Sequence, residues 1–296
     1  MTLVDESGQT INRVLNVAKL TDVEMAEYFS GTKLFGDDFG PEEVQAWYDD
    51  EKEGYANSEV EAFRGGNILA SAEVYAYHAL NTSYGFKHLP PRRFETALGV
   101  GAARAHEFAP ICDRVGTVTV IEPSDQLYSE QINGVPVQYA KPNPDGSLPF
   151  ADNSFDLITC FGVLHHIATV SRVVAELQRC LRPGGYALVR EPTNSMGDWR
   201  TQRPGLTKRE RGIPIAIFRQ ILAESGFQVV AEQPCMFSLI NRLALRARRR
   251  SVYNSPFAMS VDRVLCRLFS WNRVYHATNN LAKFRPQAVF YVLTKS

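Results

Sequence analysis

Two adjacent histidines, His165 and His166, and a glutamate further along, Glu191, are the residues of this chain best suited to moving a proton. Imidazole titrates near neutrality, so a histidine held beside a hydroxyl takes its proton, and a nearby carboxylate orients it or shares the task. A base placed in this way contributes about 10²–10⁴-fold to a rate. The plainer reading, in which one histidine packs or caps the following helix, stays open. A second group of residues suits ligand binding. Gly99-Val100-Gly101-Ala102-Ala103 lets the backbone approach a ligand closely. Glu122, next to Pro123, follows at about the 20-residue spacing at which a carboxylate at a strand end accepts hydrogen bonds from a ribose diol. The dinucleotide fingerprint GxGxxG needs a third glycine where this chain has Arg104, which argues against a nicotinamide cofactor. No His, Cys or Asp cluster has metal-ligand spacing. Cys160 reads as core, and the five cysteines are scattered without CxxC spacing, as in a reduced cytoplasmic protein.

These residues need elements to position them, and Leu148 to Glu191 is the most legible stretch. Phe155–Cys160 is an apolar run of buried-strand length. Val170, Val173, Val174, Leu177 and Leu181 recur at helical spacing, and Pro183-Gly184-Gly185 stops the helix. Tyr186–Arg190 reads as the next strand. A strand–helix–strand crossover implies a parallel unit of a doubly wound sheet, whose ligands bind beyond the carboxyl ends of its strands. That places 161–167 and 191–195 at the site. Further strands are expected at Phe94–Val100, Val118–Ile121, Val135–Ala140, Phe227–Ala231 and Ala288–Thr294. Helices are expected at Thr21–Ser30, Pro41–Asp50, Ala102–Phe108, Ser124–Gln131 (capped by Ser124) and Ile213–Ser225.

Leu148-Pro149-Phe150, Phe155-Asp156, Leu164-His165-His166 and Leu181-Arg182-Pro183-Gly184-Gly185 occur in that order. With them the chain resembles the class I S-adenosylmethionine (SAM) dependent methyltransferases, in the branch of small-molecule enzymes. The resemblance covers roughly Phe94 to Glu232. It implies an α/β, Rossmann-like, seven-stranded, mostly parallel sheet. An N-terminal helical lid (1–90) would precede the core (91–232), and a helical insertion (233–287) the last antiparallel strand (288–296). It implies SAM as cofactor, held around Gly99, Gly101, Ala102, Glu122, Pro123, Asn143, Phe161 and Gly162. Asn143 or Asp145 would reach the adenine, and Phe161 and Gly162 would pack its methionine end. Similar sugar O-methyltransferases take a histidine and a carboxylate from the loops that hold His165, His166 and Glu191. The lid would offer Tyr75, Tyr77 and His78 to the acceptor, with Tyr48 and Tyr55. The family's acidic residue two before the first glycine is Ala97 here, and the last glycine of its GxGxG is Ala103.

Net charge is zero but unevenly placed. Residues 1–199 carry 15 Lys+Arg against 28 Asp+Glu, and residues 200–296 carry 17 against 4. Either the two parts pair with each other, or the basic part, including Arg203, Lys208 and Arg209, attracts an anionic acceptor such as a nucleotide- or lipid-linked sugar. The segments 243–250 and 261–269 read as parts of the insertion, touching a lipid surface or a second copy in a homo-oligomer. No recognised nucleic-acid-binding motif and no apolar run of the ~18 residues that span a membrane is found, and MTLVDESGQT, with no basic start followed by an apolar run, does not read as a secretory signal. The expected function is methyl transfer to a hydroxyl of a small-molecule or glycan acceptor. The alternatives are C- or O-methylation of a polyketide, quinone or lipid, and a SAM-binding module without turnover.

Overall fold

The computed structural model describes residues 17–51, 75–203, 205–240, 242 and 252–296. Eight strands form one sheet: β1 Phe94–Val100, β2 Val115–Ile121, β3 Gln131–Ile132, β4 Val135–Ala140, β5 Phe155–Phe161, β6 Leu181–Pro192, β7 Gln228–Phe237 and β8 Pro286–Thr294. Their order is β3-β4-β2-β1-β5-β6-β8-β7. The strands β4, β2, β1, β5 and β6 run parallel, and β8 is antiparallel to both β6 and β7. The expected seven strands are all present; the eighth, β3, is a two-residue hairpin partner of β4. The order reverses beside β1, so a crevice opens past the carboxyl ends of β1, β2 and β5.

Both faces of the sheet are covered, as a parallel sheet requires. Leu157 and Phe161 of β5 point to one face and Ile158 and Cys160 to the other, the period of two that splits a strand between two cores. Helices α4 Val170–Cys180 and α5 Ile215–Glu224 pack on the Ile158 face, through Val173, Val174, Leu177, Phe218 and Leu222. Helix α3 His78–Tyr84 covers the Leu157 face, through Leu80 and Tyr84. Two further helices precede it. Helix α1 Asp22–Phe29 starts in a capping box made by Thr21 and Glu24, and α2 spans 41–51. Met25, Tyr28, Phe35, Phe39, Val44 and Trp47 form a separate aromatic core with Trp199 and Tyr275. The last helix, α6 Pro256–Leu268, is capped by Ser255 and holds to β7 through Asp262, which accepts the N–H groups of Met236 (3.0 Å) and Phe237 (2.7 Å).

Several expectations need correcting. Ala102–Phe108 is not an α-helix: Ala103 (φ 47°) and Ala105 (φ 61°) are left-handed, and a 3₁₀ helix follows at His106–Arg114. Residues 124–131 form an irregular loop and the edge strand β3. There Ser124 Oγ accepts from the N–H of Gln126 in a local turn. Strand β7 runs on to Phe237, past the expected boundary at 232, because it stays paired with β8 as far as Pro286. Segment 261–269 overlaps α6, whereas 243–250 and Tyr55 lie outside the described residues.

Candidate active site

A cavity of about 420 Å³ fills the crevice. Its walls come from the end of β1 and the residue after it (Val100, Gly101), the end of β2 and the residues after it (Ile121, Glu122, Pro123), the 142–148 loop, the Gly162–Thr169 loop after β5, and one side of α2. Among the described residues its charged side chains are Glu51, Glu122 and Asp125, with no Lys or Arg. It is an acidic, partly apolar pocket within the size range of small-molecule sites.

Of the expected cofactor residues, Gly101, Glu122, Pro123, Asn143 and Gly162 line this cavity. Gly101 sits at φ 59°, and a Cβ there would come within 2.7 Å of Val163. Glu122 is buried, and its Oε1 accepts the N–H of Ser124 at 3.1 Å. The Asn143 side-chain amide donates to Ser147 Oγ at 3.0 Å. Gly99, Ala102 and Phe161 are not in its wall. Gly99 is needed for packing: a Cβ there would lie 2.6 Å from the Cβ of Ala102. Phe161 packs on the far face of the sheet, against Phe86 and Phe290.

The two histidines separate. His166 lines the cavity; His165 lies behind it, buried. Glu191 is fully buried and does not reach the cavity. Its carboxylate accepts the N–H groups of Val163 (2.8 Å), Leu164 (2.8 Å) and His165 (3.3 Å), and His165 Nδ1 lies 2.8 Å from it. Glu191 is thus the anchor that shapes the histidine loop. Burial, then the neighbouring His166, holds the His165 pKa below the ordinary imidazole value, against the pull of Glu191.

The carboxylate beside His166 is Glu51, from α2. Its Oε2 lies 2.8 Å from His166 Nδ1 and accepts the Thr207 hydroxyl at 2.6 Å, while Oε1 accepts the N–H of Arg209 at 2.8 Å. Glu210 stands 3.9 Å from the same nitrogen. Burial lowers the His166 pKa, but Glu51 and Glu210 outweigh it and hold the imidazolium above its ordinary range. With Nδ1–H on a carboxylate, the neutral ring carries its lone pair on Nε2. Around this pair the structure is clamped. Trp47 Nε1 donates to the His166 carbonyl at 2.6 Å. The buried Arg211 guanidinium donates to the carbonyls of Phe35, Leu164, His165, Ile167 and Ala168. Neither Glu51 nor Thr207 carries a motif: they come from distant segments, and no spacing in the sequence announces them.

The remaining expected residues lie elsewhere. Arg203 does not line the cavity: its guanidinium donates to the carbonyls of Met196, Thr207, Lys208 and Glu210, tying its own loop together. Lys208 and Arg209 pair with Asp50. Tyr75, Tyr77 and His78 flank the far face of the sheet. The Tyr75 hydroxyl accepts from Asn81 at 2.8 Å, and the His78 N–H donates to Asn254 at 2.7 Å. The Tyr77 ring lies 4.3 Å from the buried Arg190 guanidinium. Nearby, Glu107 accepts the Thr159 hydroxyl, and burial pushes its pKa up to about 7. Tyr48 does line the cavity. His165, His166 and Glu210 offer three potential metal-ligand atoms within 4.8 Å of one another, a group that arises only in the fold. Thr207 already donates to Glu210 Oε1 through its N–H (2.8 Å), so the group is a hydrogen-bonded cluster as it stands.

Residues 97–189 match the family described as "Methyltransferase domain". A stretch of 66 residues is 38% identical to the phthiotriol/phenolphthiotriol dimycocerosates methyltransferase 1 of Mycobacterium ulcerans, covering 22% of this chain and 24% of that one. A stretch of 111 residues is 31% identical to the ubiquinone/menaquinone biosynthesis C-methyltransferase UbiE of Klebsiella pneumoniae, covering 34% and 43%. The chain thus spans less than half the length of these curated relatives. Among solved structures, a SAM-dependent methyltransferase from Leishmania major superposes with a TM-score of 0.53 at 16% identity, over 99% of this chain and 96% of that one. The [4+2]-cyclase SpnF gives 0.54 at 15% identity, over 83% and 96%. At such identities these two show the fold alone.

Proposed function

We propose, from the premise that residues 97–189 are a class I SAM-dependent methyltransferase domain, that the chain transfers a methyl group to an oxygen of a small-molecule acceptor. The proton is taken by His166, poised by Glu51. One observation carries this reading: His166 lines the same cavity as Gly101, Glu122 and Gly162, with a buried carboxylate 2.8 Å from its Nδ1.

The residues present fit SAM. Gly101, Glu122, Pro123 and Asn143 line the cavity; there the glycine would let the backbone approach SAM, Glu122 would accept from its ribose diol, and Pro123 and Asn143 would hold its adenine. An acidic lining with no lysine or arginine among the described residues suits a sulfonium cation. When bound, SAM supplies an activated methyl group with its own driving force, so the protein's tasks are alignment, exclusion of water and proton removal. Glu51 holds the His166 ring and stabilises it once protonated; Trp47 and Arg211 hold the backbone under it. Glu191 fixes the loop that carries the histidine, acting as a positioning residue.

A second reading is methylation at carbon of a phenolic or lipid-like acceptor. Val44, Trp47, Val163 and Ile167 supply apolar wall, and the curated relatives are named as a quinone-pathway C-methyltransferase and a dimycocerosates methyltransferase. The same base would serve, since ionising a phenol activates its ring carbon.

The test uses SAM with a labelled methyl group and cell extract fractionated into sugars, glycans, quinones and lipids. Label entering one fraction supports turnover and names the acceptor class. His166→Ala should then lose about 10²–10⁴-fold in kcat with SAM affinity retained. Full activity in His166→Ala would overturn the assignment of the base, and no SAM binding by the parent chain would overturn the reading altogether.

A further inference from the structure

A second cavity, about 550 Å³, lies where β6 and β7 end and β8 begins, across the 192–211 loop from the first. Met196 and Leu206 of that loop line it, while Thr207 and Glu210 of the same loop contact His166. Its charge is opposite to that of the first cavity. Arg242, Lys283 and Arg285 are in its wall, and no Asp or Glu is, among the described residues.

Arg285 is the unusual group. It is only 6% exposed. Its Nη2 donates to the Tyr275 carbonyl at a long 3.4 Å, while Nε and Nη1 are buried with no hydrogen-bond acceptor. No carboxylate forms an ion pair with it among the described residues. A buried lysine or histidine escapes such a site by losing its proton; a guanidinium does not. A buried charge of this kind needs a counter-charge, which the acids among the described residues do not supply. The backbone around it is fixed. The Arg285 carbonyl accepts from the Gln287 side-chain amide (3.2 Å) and the Ser238 N–H (3.4 Å), and the Arg285 N–H donates to the Lys283 carbonyl (3.1 Å).

We propose that this cavity is a binding site for a phosphate-type oxyanion, drawn to the uncompensated guanidinium of Arg285 in its wall, with Lys283 and Arg242 completing the charge. The anion reaches it either on a soluble phosphoester or as a lipid headgroup. The lipid source is motivated by the surface beside Lys283. Leu281 (76% exposed), Trp271 (71%) and Leu268 (63%) present apolar side chains to the outside. The site stands apart from the methyl-transfer reading, because its test needs no turnover.

The test is thermal unfolding of the full chain against inorganic phosphate, with ionic strength held by sodium chloride. Phosphate should raise Tm by about 2–6 °C, saturably, where chloride does not. Arg285→Met should abolish that rise, and in chloride it should melt no lower than the parent because it removes an uncompensated buried charge. Should Arg285→Met fail to fold, Lys283→Ala and Arg242→Ala must each weaken binding of labelled phosphate several-fold in equilibrium dialysis. Flotation with phosphatidylcholine vesicles containing phosphatidylglycerol then separates the sources. Arg285-dependent binding that phosphate competes away assigns the headgroup; a phosphate response without vesicle binding assigns a soluble phosphoester. A parent chain no more responsive to phosphate than to chloride, or an Arg285→Met variant that responds like the parent, overturns the proposal.

Discussion

His166 and Glu51 stand 115 positions apart in the chain and 2.8 Å apart in the fold. The His166 pKa is raised and that of Glu51 lowered, burial opposing both shifts and their mutual contact with the surrounding hydrogen bonds winning. A raised histidine stabilises the fold fully below its unfolded pKa of 6.5 and loses that contribution as pH rises through the folded value. A depressed carboxylate contributes above its unfolded 4.5 and loses that as pH falls. The pair therefore stabilises most between those values. A base must be neutral to act, so kcat/KM should fall on the acid side with an apparent pKa above 6.5. Glu51→Gln should move that limb to lower pH and lower the plateau, as a pH–rate profile would show; an unmoved limb would remove Glu51 from the mechanism. Glu122→Ala is the matching test for the cofactor. It should weaken binding of S-adenosylhomocysteine by roughly 10–100-fold in calorimetry, the worth of a charged hydrogen-bond acceptor.

At the scale of elements, two of the motifs that point to the family hold each other. Asp156, at the start of β5, accepts the N–H groups of Glu95 (3.0 Å) and Thr96 (3.1 Å) from β1, and Arg182 Nη1 at 3.0 Å. This joins β1, β5 and β6 at the end of the sheet opposite the cavity. Burial raises the Asp156 pKa, but those donors outweigh it and hold the carboxyl below its ordinary value. Its stabilisation is present above pH 3.8 and lost as pH falls through the lowered value. Asp156→Ala should cost about 1–3 kcal/mol in urea unfolding while leaving cofactor affinity unchanged; a large loss of affinity at unchanged stability would reverse that assignment. The crossover segment was legible because its apolar spacing agrees with one tertiary outcome, but α4 ends at Cys180, before the expected Pro-Gly-Gly stop, and Leu181 with Pro183-Gly184-Gly185 already belongs to β6. The helices expected at 102–108 and 124–131 were not, because left-handed alanines and a serine turn override propensity where the backbone bends around the crevice.

At the scale of the molecule, the uneven charge seen in the sequence resolves into two cavities of opposite sign on either side of one loop. Part of the basic segment pairs inward, since Arg200 meets Asp22, and Lys208 and Arg209 meet Asp50. These contacts latch the N-terminal helices onto the core. The Arg209 side chain is almost wholly buried, so Asp50→Asn would leave its charge without that partner. Hydrogen exchange across 41–51 should then quicken by roughly 10-fold or more, and KM for SAM should rise, since α2 walls the cavity. Unchanged exchange would show that the aromatic core around Trp47 holds α2 by itself.

The sequence by itself determined the α/β class of the sheet and its seven main strands in chain order, with the last one antiparallel. Those follow from local periodicity and from the family resemblance; the order of the strands across the sheet came from the fold. The sequence also marked Gly101, Glu122, Gly162 and His166, which line one cavity. Only the tertiary structure decided between the two histidines, because the difference lies in their partners: Glu191 takes His165 and the loop amides, and Glu51 meets His166 across the cavity wall. It likewise turned Arg203 inward onto four carbonyls and left Arg285 buried without a carboxylate among the described residues. Neither outcome has a signature in spacing, because a charge acquires its role from the groups that the fold brings within a few ångströms of it.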